Sequence, residues 1–67
     1  MNNDTLIIEF RTDEDFDSAL TRLNLNEFYI EAINPYIRSI EIPTRLASMV
    51  FHCLTIGQIK FSSGFNA

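Results

Sequence analysis

The chain opens on an alternating pattern. From Thr5 to Arg11, residues Leu6, Ile8 and Phe10 fall on one side and Ile7, Glu9 and Arg11 on the other, the period of a half-buried strand. Thr12 then breaks the alternation. Its hydroxyl is placed to cap the free N–H groups of a helix, with Asp15 three residues on as in a capping box, and Asp13, Glu14, Asp15 and Asp17 sit near the positive end of the helix dipole. Phe16, Ala19, Leu20 and Leu23 follow at i, i+3, i+4 and i+7 and predict one apolar stripe.

Residues 25–33 fit two periods. As a strand, Phe28, Ile30 and Ala32 face one way and Tyr29, Glu31 and Ile33 the other; as a helix, Leu25, Phe28, Tyr29, Ala32 and Ile33 share a stripe. Aromatic and β-branched content favours the strand. Asn34-Pro35 makes a poor two-residue hairpin turn, which leaves open either a longer turn or a helix stopped by Pro35. Tyr36 to Ile42 reads as a strand that Pro43 ends, with Ile40 and Ile42 on one face and Ile37, Ser39 and Glu41 on the other. Thr44 is a candidate N-cap for a second helix, in which Leu46, Met49, Val50, Cys53 and Leu54 recur at helical spacing until Gly57 stops it. A last strand is expected from Gln58 to Ser62, followed by a frayed end at 63–67 unless Phe65 docks.

The order β-α-β-β-α-β is that of the ferredoxin-like, or split-βαβ, arrangement, an α+β fold with two helices on one face of a four-stranded antiparallel sheet. If residues 25–34 are helical, the order becomes βααβαβ. On the ferredoxin-like reading Leu6, Ile8, Phe10, Phe28, Ile30, Ala32, Ile40, Ile42, Ile59 and Phe61 point to the helices. Arg38 is the misfit, falling on the covered face, from which it would have to snorkel to the edge.

With 67 residues the chain supports a single domain, 1–67, near the lower size at which one core holds a fold unaided. Six Phe and two Tyr supply that core generously and leave apolar surface over, so self-association, as a homodimer, is expected. No apolar run approaches the roughly 20 residues of a membrane span. The Met-Asn-Asn-Asp start lacks the basic and apolar regions of a secretory signal, so a cytoplasmic location is expected. Net charge is −4, against the clustered cations of a nucleic-acid binder. The charge is uneven: residues 1–33 carry eight acids against Arg11 and Arg22, giving −6, and residues 34–67 carry Glu41 against Arg38, Arg45 and Lys60, giving +2.

Little in the sequence points to chemistry. His52 and Cys53 adjoin, but neighbours on a helix diverge by about 100°, which puts Cys53 in the apolar stripe and His52 toward Arg45 and Ser48. A lone Cys and a lone His cannot complete a tetrahedral metal site, and the single cysteine forms no internal disulfide. The acids at 13–17 lack the glycine and spacing of a calcium loop. Gly57 and Gly64 are too few for a phosphate loop. No cofactor, metal site or enzymatic activity is therefore expected. RNA-recognition domains share the topology but carry aromatic platforms on the central strands, and metal-carrying domains of this topology use a Cys-x-x-Cys loop where this chain has Arg11-Thr12-Asp13-Glu14.

The open sheet face remains. Ile7, Glu9, Arg11, Tyr29, Glu31, Ile33, Ile37 and Glu41, with Phe51 at the edge of its helix's apolar arc, are the candidate protein-binding residues. The expected function is a small non-catalytic protein that docks on a larger protein as an inhibitor, adaptor or regulatory subunit. One alternative is a phage or mobile-element inhibitor that presents its acids to a host defence or nucleic-acid-processing enzyme. Another is a small-ligand sensor resembling ACT-type modules, against which the missing glycine in the first strand-to-helix turn counts.

Overall fold

The computed structural model describes residues 4–65. The elements are β1 (Thr5–Glu9), α1 (Asp13–Leu25), β2 (Ala32–Asn34), β3 (Ser39–Pro43), a 3-10 turn (Thr44–Leu46), α2 (Ala47–Ile56) and β4 (Ser62–Phe65). The strands form one antiparallel sheet in the order β2-β3-β1-β4, which is an α+β fold in a ferredoxin-like arrangement. Residues 25–34 are not helical beyond Leu25, so the βααβαβ alternative does not hold.

β1 and β3 form the centre in the register Leu6↔Ile42 and Ile8↔Ile40. These four side chains share one face, where Phe16, Ala19 and Leu23 of α1 and Val50 and Leu54 of α2 close over them. Leu23, Val50, Leu54, Ile8 and Ile42 are fully buried, which places the core between the helices and the two central strands. Each fully buried aliphatic side chain stabilises the fold by about 1.5–3 kcal/mol. Phe10, just past β1, is buried against Phe16, their ring centroids 6.1 Å apart.

Thr12 caps α1 as expected, its Oγ1 accepting from the Asp15 N–H at 3.0 Å. Both helices end alike. In α1 the Phe28 N–H reaches Leu23 O and the Glu27 N–H reaches Asn24 O; in α2 Ile59 reaches Leu54 O and Gln58 reaches Thr55 O. This is the Schellman pattern, with Glu27 at φ 62° and Gln58 at φ 59° in the left-handed position usually given to glycine. The hydrophobic residue after each, Phe28 and Ile59, then folds back onto the core.

These endings account for several departures from the sequence reading. Residues 26–31 are turn and coil, so β2 is shorter than expected and begins at Ala32. Glu31 donates its N–H to Glu41 O at 2.7 Å while Ala32 is the residue aligned with Glu41, so two residues face one, as in a β-bulge. The extra residue inverts the alternation. Ile33 lies opposite Ile40 on the helix side, and exposed Ala32 lies on the open face, the reverse of the expected assignment. Four turn residues, Pro35–Arg38, join β2 to β3, so β3 begins at Ser39 rather than Tyr36. Asn34 Oδ1 accepts from the Tyr36 N–H at 3.1 Å to start this turn, and Arg38 closes it at φ 51°. Arg38 is thus not on a covered strand face; it pairs with Asp13 at 2.8 Å.

The 3-10 turn takes up Thr44, and α2 proper starts at Ala47. Met49, expected in the buried stripe of α2, is 52% exposed. β4 starts at Ser62 and takes in residues 63–65 of the stretch expected to be frayed, because Ile59 is used as the apolar residue that closes α2. Docking of the Phe65 ring, and residues 66–67, lie outside what is described.

Candidate functional site

The registers fix what the open sheet face carries. Ile7 stands between Glu41 and Gly64, and Glu9 between Ser39 and Ser62, with Ala32 and Asn34 completing the two rows on β2. Of the candidate binding residues, Ile7, Glu9 and Glu41 are therefore brought together here. Ile7 and Glu41 are half-buried and Glu9 is exposed. The face is mostly small and polar.

The other candidates lie elsewhere. Arg11 follows β1 and borders a shallow cleft with Lys60, Phe61 and Ser62. Tyr29 and Glu31 are exposed in the connection before β2, and Ile37 is exposed in the turn after it. Ile33 is at the sheet edge beneath α1, where Leu20, Leu25 and Ile30 border the same groove. Phe51 stacks on Phe61, the centroids 5.2 Å apart and the planes 25° from parallel. Its ring has an internal partner.

Exposed apolar residues concentrate in the segment that carries the edge strand β2. The exposed large hydrophobic residues are Leu25, Tyr29, Ile33, Tyr36, Ile37, Met49 and Ile56, and the first five all fall within residues 25–37. Tyr36, at the tip of the hairpin, is 94% exposed. The local causes are visible. The Schellman ending of α1 turns Phe28 inward, the bulge at Glu31 sets Ile33 at the rim, and the Asn34 turn holds Tyr36 at the tip. Glu27 and Glu31 are the charged residues of this stretch. Sequence reading missed Leu25 and Tyr36; the signal for Tyr36 was its place just after Asn34-Pro35, in a turn longer than two residues.

On the helical layer, Arg22 spans from α1 to α2. Its Nε–H donates to Cys53 O at 2.9 Å, in the last turn of α2, where the helix dipole favours a cation. Asn26 Nδ2 donates to Arg22 O at 2.8 Å and lies 3.6 Å from Cys53 Sγ as a weak donor. Cys53 is half-buried against the core and His52 is exposed; both border one groove between the helices, and no hydrogen bond joins them among the described residues. Asp13, Glu14 and Asp15 occupy the first turn of α1, and no group of three or more His, Cys, Asp or Glu side chains gathers as a metal site among the described residues. No helix there is long and apolar enough to cross a membrane.

Fold and surface together define a small α+β protein of ferredoxin-like arrangement with an apolar flank along its short edge strand. Comparison with protein-family models, curated proteins and solved structures finds no match for this chain.

Proposed function

We propose that this chain is a small non-catalytic protein-binding protein that docks on a larger protein as an inhibitor, adaptor or regulatory subunit. The observation that carries this reading is the gathering of Leu25, Tyr29, Ile33, Tyr36 and Ile37 in one exposed segment. Scattered surface apolars are ordinary, but five within residues 25–37, two of them tyrosines, have the composition of interface anchors. Glu27 and Glu31 lie among these residues, and the net charge is −4, so a complementary partner is apolar at its centre and basic at its rim. The same flank offers a surface for self-association, and a cytoplasmic setting belongs to the same reading.

Affinity capture from a lysate of the source organism tests it, with wild type set against a Leu25→Ser, Ile33→Ser, Tyr36→Ser variant. All three side chains are at least half exposed, so the variant keeps the core intact. A protein held by wild type and lost by the variant is the expected result. Identical capture by the two would sink the choice of surface, and capture of nothing specific would sink the function.

A further inference from the structure

We infer that the groove between the end of α1 and α2 binds a small carboxylate with an apolar chain, its head on Arg22 and its chain along Phe28, Met49 and Ile56. Arg22 is a pinned cation without an anion. Its stem packs so closely on Gly57 that an added Cβ would stand 2.8 Å from Cδ, and its Nε–H is committed to Cys53 O. The remaining N–H donors of the guanidinium meet no acceptor among the described residues. The ion pair found there joins Arg38 to Asp13, although the chain has nine acids. Holding a guanidinium in one orientation with donors unused is what recognition of a planar carboxylate needs.

The walls select the rest of the ligand. α2 carries no Asp, Glu, Lys or Arg, and beyond its buried Val50 and Leu54 it sets Met49 and Ile56 outward at 52% and 58% exposure. Both border this groove, with Phe28 opposite and Ser48 and His52 on the same helix; no carboxylate lines it. On its other side Arg22 borders a cleft containing Glu14, Asp15 and Asp17, none within ion-pair distance of it. The groove has a volume of about 580 Å³, within the roughly 300–1,000 Å³ of small-molecule sites, and it has their makeup of apolar walls around a few polar groups. It lies on the helical layer and is lined by none of the exposed flank residues Leu25, Tyr29, Ile33, Tyr36 and Ile37.

Octanoate and octanol, titrated separately into ¹⁵N-labelled full-length protein, test the site. Octanoate is expected to shift Phe28 and the amides of Ser48 to Ile56 saturably and to bind more tightly than octanol. Arg22→Gln should weaken octanoate roughly tenfold or more and leave octanol unchanged, as loss of a charge-assisted hydrogen bond requires. Met49→Ser with Ile56→Ser, at exposed positions that leave the fold intact, should weaken both ligands. Equal affinity for the two in wild type, an unchanged octanoate affinity in Arg22→Gln, shifts centred on another surface, or no saturable binding would each overturn the proposal.

Discussion

Arg22 and Gly57 are fitted to one another across the two helices: a methyl group added at Gly57 would stand 2.8 Å from Arg22 Cδ and 2.9 Å from Nε. Gly57 has φ −77°, open to any residue, so it is glycine for the space it leaves and not for a left-handed backbone. Gly57→Ala should therefore cost about 1 kcal/mol, since the end of the Arg22 side chain moves aside only by loosening its bond to Cys53 O. In an Arg22→Ala background the same change should turn neutral or stabilising, because only its effect on the unfolded chain remains. Urea unfolding of the four proteins of this cycle reads the change of sign.

Glu27 and Gln58 occupy the left-handed positions that end α1 and α2. Replacing either with glycine removes a steric cost of about 1–2 kcal/mol and returns part of it as backbone entropy, so each should raise stability by roughly 0.5–1 kcal/mol. The two changes sit at different helix ends and should add. Thermal and urea unfolding check both statements.

Phe51 and Phe61 form the stacked pair that ties α2 to the segment leading into β4. A double-mutant cycle to alanine should show a coupling of about 0.5–1.5 kcal/mol. A value near zero would return Phe51 to the surface role expected from the sequence.

The start of α1 offers a contrast. Thr12→Ala removes the cap on Asp15 N–H and should cost about 1 kcal/mol at any salt concentration. Asp13→Asn breaks a pair with Arg38 in which the side chains are 83% and 40% exposed, and should cost less than about 1 kcal/mol, fading as salt is raised. Unfolding at low and high ionic strength separates the two.

How far the sequence could be read depended on whether local pattern and tertiary structure agreed. β1, the Thr12 cap and the Phe16, Ala19 and Leu23 stripe were legible because period, capping chemistry and burial all point one way. The faces of Ile40 and Ile42 followed from the same logic. The stretch after α1 was not legible, because a Schellman ending built on Glu27 carries no glycine to announce it. Phe28 and Ile30 were rightly assigned to the core side but as strand residues, whereas coil delivers them there. One bulged residue at Glu31 then carried Ile33 to the opposite face from the expected one. The candidate site suffered the same error, since Ile7, Glu9 and Glu41 share the open face while Tyr29, Ile33 and Ile37 belong to the flank around β2.

Hydrogen exchange on the protein alone and saturated with its captured partner tests the proposed function most directly. Protection is predicted to rise across residues 28–38 and in the last turn of α1, with α2 and β4 unchanged. Protection confined to β4, α2 or the acidic first turn of α1 would contradict the assignment of the binding surface to the flank of Leu25, Ile33 and Tyr36.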